Sequence, residues 1–325
     1  MLKKSSPFVA KSGFKNRHLQ TVYSSLFRKI PKIEFEVENF SLSDGDFLQS
    51  YWLKINKRTQ QTPLVILFHG LAGSYESPYI QGMMLELVNA GFDTVLMHFR
   101  GCSGVSNLRA RSYHSGDTED AKEFIKSIKT DKVNRPIYAI GYSLGANMLL
   151  KLLGEIKENT SIQKAVAISP PMLLDVCANA MNRGISKYYQ HRLLRDLKAA
   201  LDAKYDKHDM QTLLNLKRRD IKTLKTFWEF DEAYTAPIHG FSSADEYYKK
   251  SSSKQFLKDI QTPTLIIHSS DDPFMTPEVI PKKSELSNEV TLEVSKNGGH
   301  VGFVGGSFFK PEYWLEKRVL DYFLS

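Results

Sequence analysis

The chain has 325 residues and a net charge of +8, with hydrophobic residues at 42% and charged residues at 25%. This composition is typical of a globular protein, and no apolar run reaches the roughly 18 residues that a transmembrane helix needs. Two cysteines, Cys102 and Cys177, and N-terminal lysines with no apolar stretch behind them predict a cytoplasmic protein without structural disulfides or a signal peptide.

Strands and helices alternate over the first half of the chain. Residues 64–68 form a continuous apolar run, which is typical of a strand buried on both faces. Gly91 follows a helical pattern and is predicted to cap that helix. Strands are predicted over residues 34–42, 47–53, 64–68, 94–99, 137–141 and 165–169, and helices over 78–90, 118–130 and 146–155.

The pattern changes after residue 171. Up to residue 254 the chain has little strand pattern, many basic side chains and several helical stretches. Strand patterns then return. Helices are predicted over 188–205, 210–228 and 311–323, and strands over 264–268 and 290–294.

This order of elements predicts an α/β fold, with a mostly parallel central sheet covered by helices on both faces and an inserted helical lid. The predicted organisation has four segments. They are an N-terminal arm that packs on the body (1–32), the first part of the core (33–170), the lid (171–254) and the second part of the core (255–325).

The pentapeptide Gly141-Tyr142-Ser143-Leu144-Gly145 stands between a predicted strand and a predicted helix. Strand, sharp turn and helix are the setting of a nucleophile elbow, in which a strained serine projects its hydroxyl from the sheet edge. The glycines are needed because side chains next to such a tight turn would not fit. We therefore predict that Ser143 is a catalytic nucleophile.

A serine nucleophile needs a base and a carboxylate that orients the base. After such an elbow the acid and then the histidine follow in the chain, each on a loop behind a strand. His300 comes after the strand predicted over 290–294 and is the predicted base. Asp272 is the preferred acid, because it lies one step further beyond the preceding strand. Asp271 is the alternative, and would otherwise stabilise the turn.

Two backbone amides are expected to bind the oxyanion of the reaction intermediate. One belongs to Leu144, the residue after the nucleophile. The other is predicted at Leu71, in the glycine-rich loop that follows the strand over 64–68. The sequence has no Walker A, dinucleotide-binding or metal-ligand spacing, so neither a cofactor nor a metal is expected.

Positive charge is concentrated in residues 3–32 and 183–225. The simplest interpretation is a solvated surface, and the alternative is peripheral contact with anionic phospholipid headgroups. Nucleic-acid binding is not expected, because helix-turn-helix, zinc-finger and RNA-binding signatures are absent from the sequence.

Motifs along almost the whole chain resemble the YheT-like branch of the α/β-hydrolases. They are Asn16-Arg17-His18-Leu19-Gln20-Thr21, His69-Gly70-Leu71-Ala72-Gly73, Phe99-Arg100-Gly101-Cys102-Ser103-Gly104, Tyr113-His114-Ser115-Gly116, the elbow, Thr235-Ala236-Pro237-Ile238-His239-Gly240-Phe241, Asp271-Asp272-Pro273-Phe274 and Gly298-Gly299-His300-Val301-Gly302-Phe303. The resemblance implies a carboxylic-ester hydrolase, with relatives acting on short- or medium-chain acyl esters or on phospholipids. The N-terminal motif is interpreted as packing on the body or covering the site. Residues 100–104 either line the pocket, brace the elbow or form a purely structural turn.

The resulting hypothesis is a serine hydrolase that cleaves small acyl esters of short to medium chain length through Ser143, His300 and Asp272. Two alternatives stay open: a phospholipase-type acyl hydrolase acting at anionic membranes, and a non-catalytic member that uses the pocket for binding. Thioesterase, peptidase and haloperoxidase-like chemistries use the same triad and are not excluded.

Overall fold

The computed structural model describes residues 4–5, 8–130 and 135–325. Within these residues the strands are β1 (Lys4–Ser5), β2 (Glu36–Ser41), β3 (Phe47–Leu53), β4 (Leu64–Phe68), β5 (Asp93–Met97), β6 (Ile137–Tyr142), β7 (Ile162–Ile168), β8 (Thr264–Ser269), β9 (Val290–Ser295), β10 (Val304–Ser307) and β11 (Lys310–Tyr313). The first nine form one sheet in the order β1-β9-β8-β7-β6-β4-β5-β3-β2. Strands β1 and β4 to β9 are parallel, while β3 pairs antiparallel with both β5 and β2.

The helices are α1 (Arg17–Phe27), α2 (Pro78–Asn89), α3 (Glu119–Thr130), α4 (Leu144–Ile156), α5 (Leu174–Ala180), α6 (Ser186–Lys204), α7 (Met210–Leu214), α8 (Phe227–Phe230), α9 (Ala236–Ile238), α10 (Ala244–Ser251) and α11 (Trp314–Leu324). Successive side chains of a strand point to opposite faces of the sheet, so the hydrophobic core has two parts, one on each face. In β4, for example, Leu64, Ile66 and Phe68 pack with α3 and α4 on one face. Val65 and Leu67 pack with α1, α2 and α11 on the other face. The predicted mostly parallel sheet covered on both faces is confirmed.

Residues 171–254 add two smaller apolar clusters to these two core clusters. One joins α6 to α7 and the chain after it, through residues such as Leu194, Leu201 and Met210. The other joins α5 to α10, for example through Leu174 and Tyr247. The helical character predicted for this segment is present, and its action as a lid stays a prediction.

Several predicted elements differ from those observed. The helix predicted over 210–228 is wrong: α7 ends at Leu214, because Asn215 adopts a left-handed conformation with a φ of 51°, and a 3₁₀ turn follows over Arg218–Thr223. The final helix begins at Trp314, because the preceding residues pair as β11 with β10. Helix α1 of the N-terminal arm was not predicted from the sequence.

Candidate active site

Ser143 lies at the junction of β6 and α4. Its backbone, with φ at 51° and ψ at −117°, is strained for a residue with a side chain. Its amide donates a 2.8 Å hydrogen bond to the carbonyl of Ile168 in β7. A Cβ atom on Gly145 would lie 2.5 Å from the carbonyl oxygen of His69, and one on Gly141 would lie 2.5 Å from that of Gly145. This turn therefore requires glycine at both flanking positions.

His300 joins Ser143 to Asp272. Its Nε2 lies 2.8 Å from the Ser143 Oγ, and its Nδ1 lies 2.8 Å from the Asp272 Oδ2. Asp272 and His300 are both buried. Since an ionised carboxylate only accepts hydrogen bonds, it holds the imidazole with the proton on Nδ1, which leaves Nε2 to accept the Ser143 O–H. The three side chains form one continuous hydrogen-bonded chain.

The two candidate acids have different partners. The second oxygen of Asp272 accepts a 2.8 Å hydrogen bond from the amide of Phe274, which fixes the carboxylate facing His300. Asp271 instead accepts a 3.0 Å hydrogen bond from the amide of Gly299, and a longer one from the Asn297 side chain. Asp271 thus braces the loop that carries His300.

Three further residues hold His300 or the adjacent Val301, and none of these contacts was predicted from the sequence. The ring of Phe274 stacks on the imidazole, with centroids 4.1 Å apart. Ser169 Oγ accepts a 3.1 Å hydrogen bond from the amide of Val301, and Thr21 Oγ1 accepts a 3.0 Å one from the amide of His300. Phe274 and Thr21 stand in motifs already noted, but nothing in their spacing indicated a contact with the histidine.

Helix α1 packs directly against the loop that carries His300. The buried side chain of Gln20 donates to the carbonyls of Phe14 and Val304 and accepts from the amide of Val304. A Cβ atom on Gly299 would lie 2.5 Å from the carbonyl oxygen of Arg17, so only glycine allows this approach. The part of the N-terminal motif that lies on α1 is therefore next to the site.

The two backbone amides predicted to bind the oxyanion differ from neighbouring amides in their hydrogen bonding. In the loop after β4, the amide of Gly70 donates to the Tyr79 hydroxyl and that of Ala72 to the Tyr113 hydroxyl. The amides of Leu71 and Leu144 donate to no acceptor among the described residues. A Cβ atom on Gly70 would be 3.2 Å from the Ser143 Cβ, so this loop runs directly beside the serine.

A cavity of about 940 Å³ opens over Ser143 and His300. Its floor includes Leu71 and Leu144, and its walls come from α1, α5, α6 and the chain between α8 and α10. Apolar and aromatic side chains such as Leu193, Phe230 and Tyr234 line much of it. Such a cavity suits a ligand with a substantial apolar part.

Both cysteines line this cavity, but neither is a competing nucleophile. Burial raises the pKa of the Cys102 thiol to about 12. Burial, followed by the charge of Asp272, raises the pKa of the Cys177 thiol well above its usual value. Since only a thiolate attacks readily, Ser143 is the better placed nucleophile of the three.

Arg100 forms ion pairs with three acidic residues next to the cavity. It is buried and donates to both oxygens of Asp120 at 2.7 Å, and to Asp44 and Asp46 at 2.8 Å each. Burial alone would raise the pKa of Asp46, but hydrogen bonds from Asn107, two backbone amides and Arg100 lower it to about 2. Arg100 thus ties the β2–β3 turn to α3, and it also borders the cavity.

His69 and His98 are neutral structural groups. His69 Nε2 accepts from the amide of Phe99, and His98 Nε2 from the amide of Tyr75. Burial lowers the pKa of His69 to about 4 and that of His98 to about 3.

In the described ranges, no group of three or more His, Cys, Asp or Glu side chains is arranged to hold a metal. No helix among the described residues is long and apolar enough to cross a membrane.

Comparison with known proteins shows which family the chain belongs to. A profile of the alpha/beta hydrolase fold family matches residues 63–307. The chain is 41% identical to YheT of Escherichia coli strain K12, over 98% of this chain and 93% of YheT. It is 26% identical to Phospholipase ABHD3 of Mus musculus, over 94% of this chain and 75% of that protein.

Among solved structures, the Pyrococcus furiosus esterase Pf2001 superposes with a TM-score of 0.55 at 18% identity, covering 98% of each chain. This likeness shows the fold. The identity with YheT over nearly the whole length shows more: the chain is a hydrolase that belongs to the YheT-like branch of the α/β-hydrolase family.

Proposed function

We propose that the protein is a serine esterase that hydrolyses carboxylic esters of short to medium acyl chain length. The observation that carries the proposal is the pair of 2.8 Å contacts from His300, one to the Ser143 Oγ and one to Asp272. This is the geometry in which a base takes the serine proton while a carboxylate holds its tautomer.

In the acylation step, the Ser143 Oγ attacks the ester carbonyl as its proton moves to His300 Nε2. The amides of Leu71 and Leu144 donate hydrogen bonds to the oxyanion that forms. The intermediate then collapses: the bond to the alkoxy oxygen breaks, and His300 returns the proton to the departing alcohol. The product of this half-reaction is an acyl-enzyme on Ser143.

In the second half-reaction, water replaces the alcohol. His300 removes a proton from the water, whose oxygen bonds to the acyl carbon, and the same two amides hold the second oxyanion. The Ser143 Oγ leaves as His300 gives it the proton. The carboxylic acid is released and the resting arrangement is restored.

Support for an ester substrate comes from the cavity and from the relatives. The cavity walls are largely apolar, which suits an acyl chain beside the reacting carbonyl. YheT is named as a candidate esterase. Phospholipase ABHD3 carries the name of an enzyme acting on phospholipid, which keeps phospholipid acyl hydrolysis as the second candidate.

The direct test is hydrolysis of p-nitrophenyl esters from acetate to palmitate by the wild type and by Ser143→Ala. We expect the wild type to turn over the shorter esters and the variant to lose roughly 10³-fold or more. A fluorophosphonate should label the wild type but not Ser143→Ala. It should also label the control Ser287→Ala, which changes a serine that does not line the cavity. Equal turnover by wild type and Ser143→Ala would refute the proposal, and absence of both turnover and labelling would favour the non-catalytic alternative.

A further inference from the structure

Four large apolar side chains are exposed together where α1 meets the β10–β11 hairpin. Leu26 is 61% exposed, Phe27 49%, Phe308 43% and Phe309 91%. Phe308 links the three aromatic rings, since its ring centroid lies 5.4 Å from that of Phe27 and 5.5 Å from that of Phe309. Leu26 precedes Phe27 on α1. We call these four residues the aromatic tip.

The two phenylalanines occupy the turn of the hairpin, where small or polar residues are usual. The turn is held in place, because the Tyr23 hydroxyl donates a 2.5 Å hydrogen bond to the carbonyl of Phe308 and the amide of Lys310 donates to Ser307 Oγ. Packing does not account for Phe309, whose side chain is almost fully exposed. Two exposed aromatic side chains on a turn that is held in place indicate a binding surface.

The aromatic tip adjoins the mouth of the active-site cavity. Leu26 belongs to both, since it lines the cavity together with Val22 and Ser25 of the same helix. On α6, Tyr188 also lines the cavity and is 66% exposed. Apolar side chains are therefore exposed on two sides of the opening through which a substrate would enter.

Positive charge flanks the aromatic tip along the chain. Lys29 and Lys32 follow α1, and Lys310 follows Phe309; all three are exposed. On the hairpin itself, Glu312 is the exposed acidic residue. Protruding aromatic side chains with neighbouring lysines suit a surface that is apolar inside and anionic outside.

The size of the aromatic tip argues against a second protein chain as partner. Four such side chains expose on the order of 500 Å². A stable protein interface buries about 800 Å² on each partner. Peripheral binding to a bilayer does not need a buried area of this size, because a few inserted side chains and nearby cations suffice.

We propose that the aromatic tip docks on a bilayer surface that carries anionic phospholipid headgroups. Phe308 and Phe309 enter the boundary between headgroups and acyl chains, and the lysines lie against the phosphates. This orientation turns the cavity mouth toward the lipid, so that acyl esters reach Ser143 from the membrane. This last step rests on the proposed esterase function, whereas docking does not.

The test is sedimentation of the full chain with vesicles of phosphatidylcholine alone, or mixed with an equal amount of phosphatidylglycerol. We expect the wild type to bind the mixed vesicles more tightly. Phe309→Ser should weaken that binding about tenfold or more, because a phenylalanine side chain no longer leaves water. Leu213→Ser removes an apolar side chain on α7 that is 53% exposed and lies outside the aromatic tip, and it should bind as the wild type does. Lys310→Gln should reduce only the preference for anionic vesicles.

Turnover of a soluble p-nitrophenyl ester separates the two proposals. Wild type and Phe309→Ser should be equally active on it, whether or not vesicles are bound. Loss of soluble turnover in both, with vesicle binding intact, would reject the esterase and leave the docking surface standing. Failure of the wild type to bind either vesicle, or unchanged binding by Phe309→Ser, overturns the docking proposal. The docking proposal is also overturned if light scattering gives the mass of a dimer for the wild type and of a monomer for Phe309→Ser, because the aromatic tip would then bind a second copy of the chain.

Discussion

The Thr21 hydroxyl on α1 accepts a 3.0 Å hydrogen bond from the backbone amide of His300, and donates a 2.8 Å hydrogen bond to the carbonyl of Arg17. One side chain of the N-terminal arm thus fixes the backbone of the residue whose imidazole contacts Ser143. The arm is therefore part of the support of the active site.

Replacing Thr21 by valine keeps the shape of the side chain but removes the acceptor. The His300 amide then loses its hydrogen-bond partner. If the loop stays in place, the unpaired amide costs about 1 to 3 kcal/mol, and if the loop moves to satisfy the amide, the imidazole is displaced from Ser143. We expect kcat on a soluble ester to fall about tenfold or more, since 1.4 kcal/mol corresponds to a factor of ten.

Thr21→Ser is the matched control, because it restores the hydroxyl and should recover most of the activity. Unfolding in urea, measured on both variants, separates a general loss of stability from a loss of positioning. If Thr21→Ser is as impaired as Thr21→Val, the hydrogen bond is not what matters at this position.

The neighbouring acids Asp271 and Asp272 give a second matched pair. Asp272→Asn keeps the size of the side chain, but its amide favours the wrong imidazole tautomer, so we expect kcat to fall roughly 10³- to 10⁴-fold. Asp271→Asn retains an oxygen that can accept from Gly299, and should lower kcat less than about tenfold. Steady-state kinetics on one ester decides between them, and equal losses would contradict the assignment of Asp272 as the orienting acid.

The positions of Ser143, Asp272 and His300 could be predicted because each follows a strand with a clear apolar pattern. Parallel strands bring such loops to one edge of the sheet, so the order of residues along the chain carries spatial information. The contact between Thr21 and His300 has no such basis. It joins residues far apart in the chain through an amphipathic helix whose docking position no local pattern specifies.

Local pattern failed where tertiary pairing or a single backbone conformation decides the outcome. Pro311 suits the first turn of a helix, yet it pairs with Gly306 in the β10–β11 hairpin. Asn215 tolerates the left-handed conformation that ends α7, and the residues that follow form separate short turns. Helical spacing of apolar residues over 210–228 does not reveal this break.

Two arginines with similar partners but different burial give a test of stability. Arg100 is buried and bonds Asp44, Asp46 and Asp120, whereas the exposed Arg218 bonds Asp202 and Asp206. Arg100→Met removes the salt bridge of the buried Asp46 and leaves the buried Asp120 paired with only the half-buried Arg111, and we expect it to lower the free energy of unfolding by about 3 to 5 kcal/mol. Arg218→Met should leave that free energy nearly unchanged, since water and salt screen its pairs. Urea denaturation measures both, and similar effects would refute the argument.

The buried His69 predicts how stability depends on pH. Burial lowers its pKa to about 4 in the folded protein, against about 6.5 in the unfolded chain. Between these values the unfolded chain binds more protons, so stability rises with pH and is lost as pH falls. From pH 7 to pH 5 we expect His69 to contribute a loss of about 2 kcal/mol.

Asp117 titrates in the same window with the opposite sign, because burial and then the charge of Asp120 raise its pKa to about 7. The measurement is therefore a difference: urea unfolding at both pH values for the wild type and for His69→Gln. The glutamine oxygen can accept from the Phe99 amide in place of the imidazole Nε2, and the amide group does not titrate. The variant should lose about 2 kcal/mol less than the wild type between pH 7 and pH 5, since the titration of Asp117 is common to both proteins. Equal losses would mean that the imidazole of His69 already carries a proton in the folded protein at pH 5.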